Sequence, residues 1–182
     1  NPEVVDHIYE QIAAVLRQGD INYVKWDMNR SLCDIYSDSM VWQGNVMYDY
    51  MLGVYDLLER LTQAFPDMLW EGCSGGGGRF DMGMLYYTPQ IWCSDNTDAV
   101  VRIQYGTSFA YPLSTMGAHV SAVPNHQTGR VTDMNTRGVV AMTGAFGYEL
   151  DLGKLSEEDK TAVREQIKTY HEAAPVILKG DY

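Results

Sequence analysis

The sequence predicts an α/β protein built around a parallel sheet of about five βα units. Runs of β-branched and aromatic residues alternate with stretches whose apolar residues follow helical spacing, and no linker or low-complexity stretch interrupts them. Polar residues gather where the predicted strands end, which is where parallel sheets carry their sites. Five units are too few to close an eight-stranded barrel, so the chain forms an open sheet or part of a larger barrel.

The first helix begins at Asn1-Pro2, a capping residue followed by a proline at the first helical position, and ends at Gly19. The stretch 21–30, INYVKWDMNR, is rich in β-branched and aromatic residues and predicts the first strand. In the first helix, the apolar residues that follow helical spacing are Val5, Ile8, Ile12 and Leu16.

Residues 31–42 predict a loop, and a long amphipathic helix follows from Met47 to the residue before Pro66. The second strand covers 68–73 and leads directly into the glycine-rich sequence SGGGGRFD. This order of helix, strand and polar loop is the expected βα arrangement.

The second half of the chain repeats the same alternation. Strands are predicted at 90–95, 116–124 and 148–152, and helices at 96–108 and 131–145. A last helix starts at Ser156, where a capping residue precedes three acidic residues. The tail PVILKGDY is predicted to be extended.

The composition excludes several classes of partner and of functional site. The net charge of −11, from 24 acidic against 13 basic residues, argues against nucleic acid or an anionic membrane surface as partner. No apolar run is long enough to span a bilayer, and the first residues are not a signal peptide. Cys33, Cys73 and Cys93 lack the spacing of a zinc site, which favours reduced thiols and a cytoplasmic protein. The four histidines show no metal-binding pairing, so neither a metal nor a cofactor is expected.

The first strand carries a polar side among apolar residues. Side chains alternate along a strand, so Lys25, Asp27 and Asn29 are expected on one side. A cation two residues from a carboxylate favours its ionised form, and an ionised carboxylate at a strand end is a candidate nucleophile. A structural salt bridge would explain Lys25 and Asp27 equally well.

A second carboxylate, Asp95, follows the predicted strand 90–95. Two carboxylates converging on one sugar ring are what glycoside hydrolysis requires. Helix capping is the alternative for Asp95, although Asp98 fits a place in the first helical turn better. The glycine run 75–78 lacks the residues of a phosphate-binding loop, and it predicts either a flexible turn or a loop lining a substrate.

Three segments together resemble the bacterial α-galactosidases of glycoside hydrolase family 36: YVKWDMNR, WEGCSGGGGRFD and WCSDNTDA. A fourth, AYPLSTMGAHVSAVPNHQTGR, is also similar to that family. The resemblance implies that residues 1–182 are the C-terminal part of a (β/α)8 TIM barrel, without the first barrel strands and the flanking β-domains. It implies a retaining enzyme that removes terminal α-1,6-linked galactose from melibiose, raffinose and related sugars.

The same resemblance assigns roles to individual residues. Asp27 corresponds to the nucleophile and Asp95 to the acid/base, while Lys25 and Asn29 match positions that bind galactose. Cys73, with Gly75 and Gly76 after it, matches the loop that lines the sugar near its 2-hydroxyl.

Further expectations follow from these roles. The carboxyls of Asp27 and Asp95 are expected roughly 5–5.5 Å apart, the first ionised and the second protonated in the resting enzyme. Unpaired sheet edges predict a homo-oligomer or poor solubility. The resemblance places further galactose contacts on the missing barrel strands, so an isolated chain is expected to be weakly active or inactive. The alternatives are a related retaining enzyme, such as an α-N-acetylgalactosaminidase or a galactosyl transferase of the raffinose-synthase kind, and an inactive barrel fragment.

Overall fold

The computed structural model describes residues 1–106 and 108–180 of the chain. Helices and strands alternate along it, as the sequence predicts. The helices are α1 (Pro2–Leu16), α2 (Val46–Ala64), α3 (Met82–Tyr87), α4 (Ala99–Tyr105), α5 (Met134–Ala141) and α6 (Glu157–Lys179), and the strands are β1 (Tyr23–Asp27), β2 (Leu69–Cys73), β3 (Gln90–Trp92), β4 (Met116–Ser121) and β5 (Ala145–Glu149).

The strands form one sheet whose spatial order, β1-β2-β3-β4-β5, is their order in the sequence. Three neighbouring pairs, β2–β3, β3–β4 and β4–β5, run parallel, with Gly72 opposite Ile91 and Trp92 opposite Gly117. Sequential parallel strands joined by helices are the connectivity of a (β/α)8 barrel. The predicted α/β class with five βα units is confirmed.

The chain divides within β2 into two compact units, Asn1–Trp70 and Glu71–Tyr182. In the first unit, Asn1 accepts a hydrogen bond from the Glu3 N–H and caps α1. Apolar residues of the two helices and two strands form its core, with Val24 and Trp26 packed on the edge. The buried members of that core are Leu16, Leu57, Leu61 and Trp70.

In the second unit, β4, β5, α5 and α6 enclose a separate core around Val120, Met134 and Ala141. Gln166 of α6 donates to the Met134 carbonyl at 2.8 Å and accepts from the Tyr148 hydroxyl at 2.7 Å. These hydrogen bonds fix α6 against α5 and β5, so the last helix is part of the packed structure.

The prediction of an extended tail after the last helix is wrong. The tail from residue 175 is helical rather than extended, because α6 continues through Pro175 to Lys179. Proline removes one intrahelical hydrogen bond, and the packing of the long amphipathic helix offsets that loss. Residues 181 and 182 of the predicted tail lie outside the described residues.

Other boundaries are shifted. Strand β5 begins at Ala145 and ends at Glu149, earlier than the predicted 148–152. Helix α4 starts only at Ala99, because Asp98 is its cap, and Thr107 of the predicted helix 96–108 lies outside the described residues. No helix among the described residues is long and apolar enough to cross a membrane.

Candidate active site

The carboxyl end of β1 presents two of the predicted site residues on one side. Exposure alternates along the strand, so Lys25 and Asp27 are exposed while Val24 and Trp26 face the core. The strand ends at Asp27, so Asn29 lies in the following loop and not on the strand. Its amide nitrogen nevertheless donates to Asp27 Oδ2 at 2.9 Å, which keeps it beside the carboxylate.

The glycine loop, residues 74–78, follows β2 directly after the buried Cys73. Gly75 and Gly76 have φ angles of 55° and 85°, a conformation that side chains other than hydrogen disfavour. The Ser74 N–H donates to the Gly76 carbonyl at 2.8 Å, and the Gly77 N–H donates to the Cys93 carbonyl at 3.0 Å. The second bond joins this loop to the segment that follows β3.

The contact between these two segments is too close for a side chain. A Cβ on Gly76 would lie 2.8 Å from Ser94 Cα and 3.1 Å from the Asp95 nitrogen, and one on Gly77 would lie 2.8 Å from the Cys93 carbonyl oxygen. The glycine loop therefore supports the backbone that carries Asp95, and it is packed rather than a flexible turn.

Asp95 is exposed, and its carboxyl is oriented by a neighbour in the same segment. The indole nitrogen of Trp92 donates to Asp95 Oδ1 at 3.1 Å, and the side-chain amide of Gln127 donates to the Asp95 carbonyl at 3.3 Å. Helix capping, the alternative role for Asp95, belongs instead to Asp98, which lies one position before α4 and not in its first turn as predicted.

Asp98 is a buried structural carboxylate. It accepts from the backbone N–H groups of Val100 and Val101, from the Thr128 hydroxyl, and from Arg130 at 2.7 Å. Burial alone would raise the pKa of Asp98, but these hydrogen bonds outweigh it and lower the pKa. The carboxylate thus connects the start of α4 to the loop that contains Gln127.

Arg102, which sequence reasoning missed, holds the backbone on both sides of Asp95. Its Nη2 donates to the Ser94 carbonyl at 2.7 Å and its Nε to the Asn96 carbonyl at 2.9 Å. The side chain is buried, and burial lowers its pKa. The sequence signal for this role is the spacing of Arg102, four residues after Asp98. That spacing places Arg102 one helical turn into α4, where its side chain can reach back to the segment around Asp95.

The loop 122–130 also supports the site, which the sequence did not predict. Asn125 is buried and its amide donates to the Thr97 hydroxyl at 3.0 Å, while Ser121 donates to the Thr97 carbonyl at 3.0 Å. These bonds fix the segment between Asp95 and Asp98 from the side of β4. His126, which the sequence did not favour as a site residue, is exposed.

One further carboxyl, Glu71 of β2, lies inside the second unit with its side chain fully buried. Gln90 donates to its Oε2 at 3.2 Å, and a Cβ on Gly117 would lie 3.2 Å from its Oε1. Burial raises the pKa of Glu71 to about 7, against the opposing effect of the Gln90 hydrogen bond. Such a group holds its proton near neutrality, unlike an exposed glutamate.

Each unit thus brings together its own share of the predicted residues. The first holds Lys25, Asp27 and Asn29, and the second holds Asp95 beside the glycine loop and Cys73. The two carboxyls belong to different units, so their predicted separation of roughly 5–5.5 Å stays a prediction. Within residues 1–106 and 108–180, no three His, Cys, Asp or Glu side chains form a group that could hold a metal ion.

Comparison with known proteins gives consistent matches along the chain. The family model described as Melibiase matches residues 1–180. The bifunctional alpha-galactosidase/sucrose kinase AgaSK of Mediterraneibacter gnavus is 65% identical over 182 residues, which is 99% of this chain and 19% of that protein.

Solved structures of alpha-galactosidases also match the chain. The crystal structure of the GH36 alpha-galactosidase AgaA from Geobacillus stearothermophilus superposes with a TM-score of 0.94 at 52% identity, covering 98% of this chain and 26% of that one. A variant of AgaA in complex with raffinose superposes with a TM-score of 0.93. The chain therefore spans about a quarter or less of the length of these relatives, and its predicted resemblance to glycoside hydrolase family 36 is confirmed.

Proposed function

The chain belongs to the melibiase family, and on that premise we propose that it supplies both catalytic carboxylates of a retaining α-galactosidase. The substrate is a terminal α-1,6-linked galactose of melibiose, raffinose or a related oligosaccharide. The observation that carries this proposal is the exposed Asp95 carboxyl, which is not used for helix capping and is oriented by the Trp92 indole. Raffinose bound to the AgaA variant supports the substrate class.

In the proposed mechanism, the Asp27 carboxylate attacks the anomeric carbon and forms a glycosyl ester. The bond to the departing sugar breaks, and the oxygen of that sugar takes a proton from Asp95. Water then gives a proton to the Asp95 carboxylate and attacks the anomeric carbon, which releases galactose and restores Asp27. Two inversions at one carbon give net retention.

Substrate binding is assigned to residues beside these carboxylates. Asn29 donates to Asp27 Oδ2, so its amide is positioned both to orient the nucleophile and to contact the sugar. Lys25 shares the exposed side of β1 with Asp27, and its charge favours the ionised nucleophile. Cys73, Gly75 and Gly76 line the sugar near its 2-hydroxyl, where glycine lets backbone approach closely.

The nucleophile is tested in the full-length product of the gene that encodes this chain. Asp27→Ala should reduce turnover of nitrophenyl α-galactoside by at least ~10³-fold, because the covalent step is lost. Azide should partly restore turnover and yield β-galactosyl azide, since it enters from the face that Asp27 occupied. Asp67→Ala removes an exposed carboxylate before β2 and is the matched control. Unchanged activity in Asp27→Ala would refute the assignment.

The acid/base is tested by the leaving group. Asp95→Ala should slow raffinose hydrolysis by ~10²-fold or more and nitrophenyl α-galactoside hydrolysis far less, because nitrophenolate needs little protonation. Equal losses on both substrates would contradict the role of Asp95. A wild-type protein that hydrolyses neither substrate would refute the proposed function as a whole.

A cytoplasmic location is part of the proposal. Its support is the exposed thiol of Cys33 in a chain with an odd number of cysteines, a pattern that suits a reducing compartment. Fractionation of the source cells, with activity followed in each fraction, tests it, and activity confined to the medium would contradict it.

A further inference from the structure

We propose that Trp92 is a positioning residue for Asp95, which assigns the acidic proton to one oxygen of that carboxyl. This inference rests on the proposed function. The indole N–H of Trp92 donates to Asp95 Oδ1 at 3.1 Å. An indole nitrogen only donates, so Oδ1 is kept as an acceptor and the proton of the acid is carried on Oδ2.

The indole is itself held in place by its surroundings. Trp92 is 3% exposed, and the Arg102 guanidinium carbon lies 4.0 Å from the centre of its ring. The His119 ring centre lies 4.7 Å from the same ring, tilted by 31°. A Cβ on Gly117 would lie 3.3 Å from Trp92 Cε3, so the neighbouring strand also closes round the indole.

Arg102 couples the side chain of Asp95 to its backbone. The guanidinium that stacks on Trp92 also donates to the carbonyls of Ser94 and Asn96, the residues on either side of Asp95. Both the main chain and the carboxyl of the acid are therefore fixed by one stacked pair of side chains. Preorganisation of this kind is what proton transfer to a leaving group requires.

The chemical consequence concerns both protonation states. With the proton on Oδ2, this oxygen gives the proton to the leaving group in the first step. The resulting carboxylate then accepts the indole hydrogen bond as a charge-assisted bond, which is stronger than the neutral one. Removing the N–H should therefore favour the protonated form, and activity should persist to higher pH.

Other charged groups lie around this cluster and must stay constant in the test. Arg102 comes from α4, His119 from β4, Glu149 from β5, Glu71 from β2 and the Cys93 thiol from the segment after β3. His119 Nδ1 lies 3.4 Å from Glu149 Oε2. Because Trp92→Phe leaves all of these groups in place, a shift of the alkaline limb alone reports on the bond between Trp92 and Asp95.

The test compares Trp92→Phe with Trp70→Phe in the full-length gene product. Trp70 is a matched control, because it is also buried and its indole nitrogen makes no hydrogen bond among the described residues. Trp92→Phe should lower kcat/KM for raffinose by ~10-fold or more and for nitrophenyl α-galactoside by less than ~3-fold. The alkaline limb of kcat/KM should move up by about half to one pH unit.

A second substitution guards against misfolding. Trp92→benzothienylalanine, introduced by suppression, keeps the size of the ring and replaces the N–H by sulfur, and it should reproduce both effects. Equal losses on the two substrates, or an alkaline limb that does not move, would overturn the positioning role. That result is distinct from failure of the proposed function, in which the wild type itself, or its Asp95→Ala variant, behaves otherwise than stated above.

Discussion

At the scale of single residues, Asp95 and Asp98 show how much the sequence predicts and where it stops. Three positions separate them, and the sequence placed Asp98 in the first turn of a helix that began at residue 96, whereas Asp98 is the cap of a helix that begins at Ala99. The sequence could not reveal that Trp92 and Arg102 orient Asp95, because stacking and carbonyl contacts depend on how β3 and α4 pack. The sequence pattern therefore yields candidates for the reacting groups, but it does not reveal the residues that position them.

Glu71 gives a prediction about pH and stability at the same scale. The pKa of this buried carboxyl is about 7 in the fold, against 4.5 for an ordinary glutamate. The folded chain therefore keeps a proton on Glu71 that the unfolded chain loses, so the contribution of Glu71 to stability is greatest below pH 4.5 and declines as pH rises to about 7. Above that range the loss is complete.

Glu71→Gln removes this titration and should make the stability of the full-length protein less dependent on pH. As pH rises from 5 to 8, the free energy of unfolding of the variant should increase by about 1–3 kcal/mol relative to that of wild type. Urea unfolding at both pH values measures the difference. Glu165→Gln, at an exposed site on α6, is the control and should follow wild type. A variant that loses stability with rising pH as steeply as wild type would contradict the buried-proton interpretation.

At the scale of elements, the pattern of the chain predicted the five strands of the described residues and, apart from the short α3, their α-helices. That helix has six residues, Met82–Tyr87, and contributes too little periodicity to stand out beside the glycine loop. The tail was predicted to be extended, but α6 is already held by Gln166 and Tyr170 and continues through Pro175. Local signals define where an element begins better than where tertiary packing lets it end.

The glycine loop provides the prediction at this scale. Gly76→Ala places a Cβ 2.8 Å from Ser94 Cα in a left-handed backbone conformation, so it should displace the segment carrying Asp95. Stability should fall by about 1–3 kcal/mol, and kcat for raffinose should fall by ~10-fold or more.

Gly129→Ala is the matched control for backbone strain. Gly129 also has a positive φ, of 70°, but nothing lies within 4 Å of its added Cβ. This variant should lose a comparable free energy of unfolding and keep its kcat. Thermal unfolding and raffinose kinetics on both variants separate strain from displacement. If Gly76→Ala kept full activity, the loop would have no part in placing Asp95.

At the scale of the whole molecule, the surface of the chain predicts association. Among the described residues the sheet order ends at β1 and at β5, and strands at the edge of a sheet invite pairing with another chain. Large apolar side chains are also exposed: Val41 is 90% exposed, Trp42 75% and Phe109 91%. Apolar surface of this kind marks a contact with other polypeptide.

Residues 1–182 expressed without flanking sequence should therefore be oligomeric or poorly soluble, and weakly active on raffinose. Activity should be weak because the family resemblance implies that the first barrel strands are absent, and an incomplete barrel orients its substrate poorly. Light scattering and raffinose turnover measure both. Replacing Val41 and Trp42 by Asp and Lys should raise the soluble fraction, whereas Thr169→Lys, at an exposed polar site, should not. A monomer that matched the full-length product in turnover would show that these residues alone complete the site.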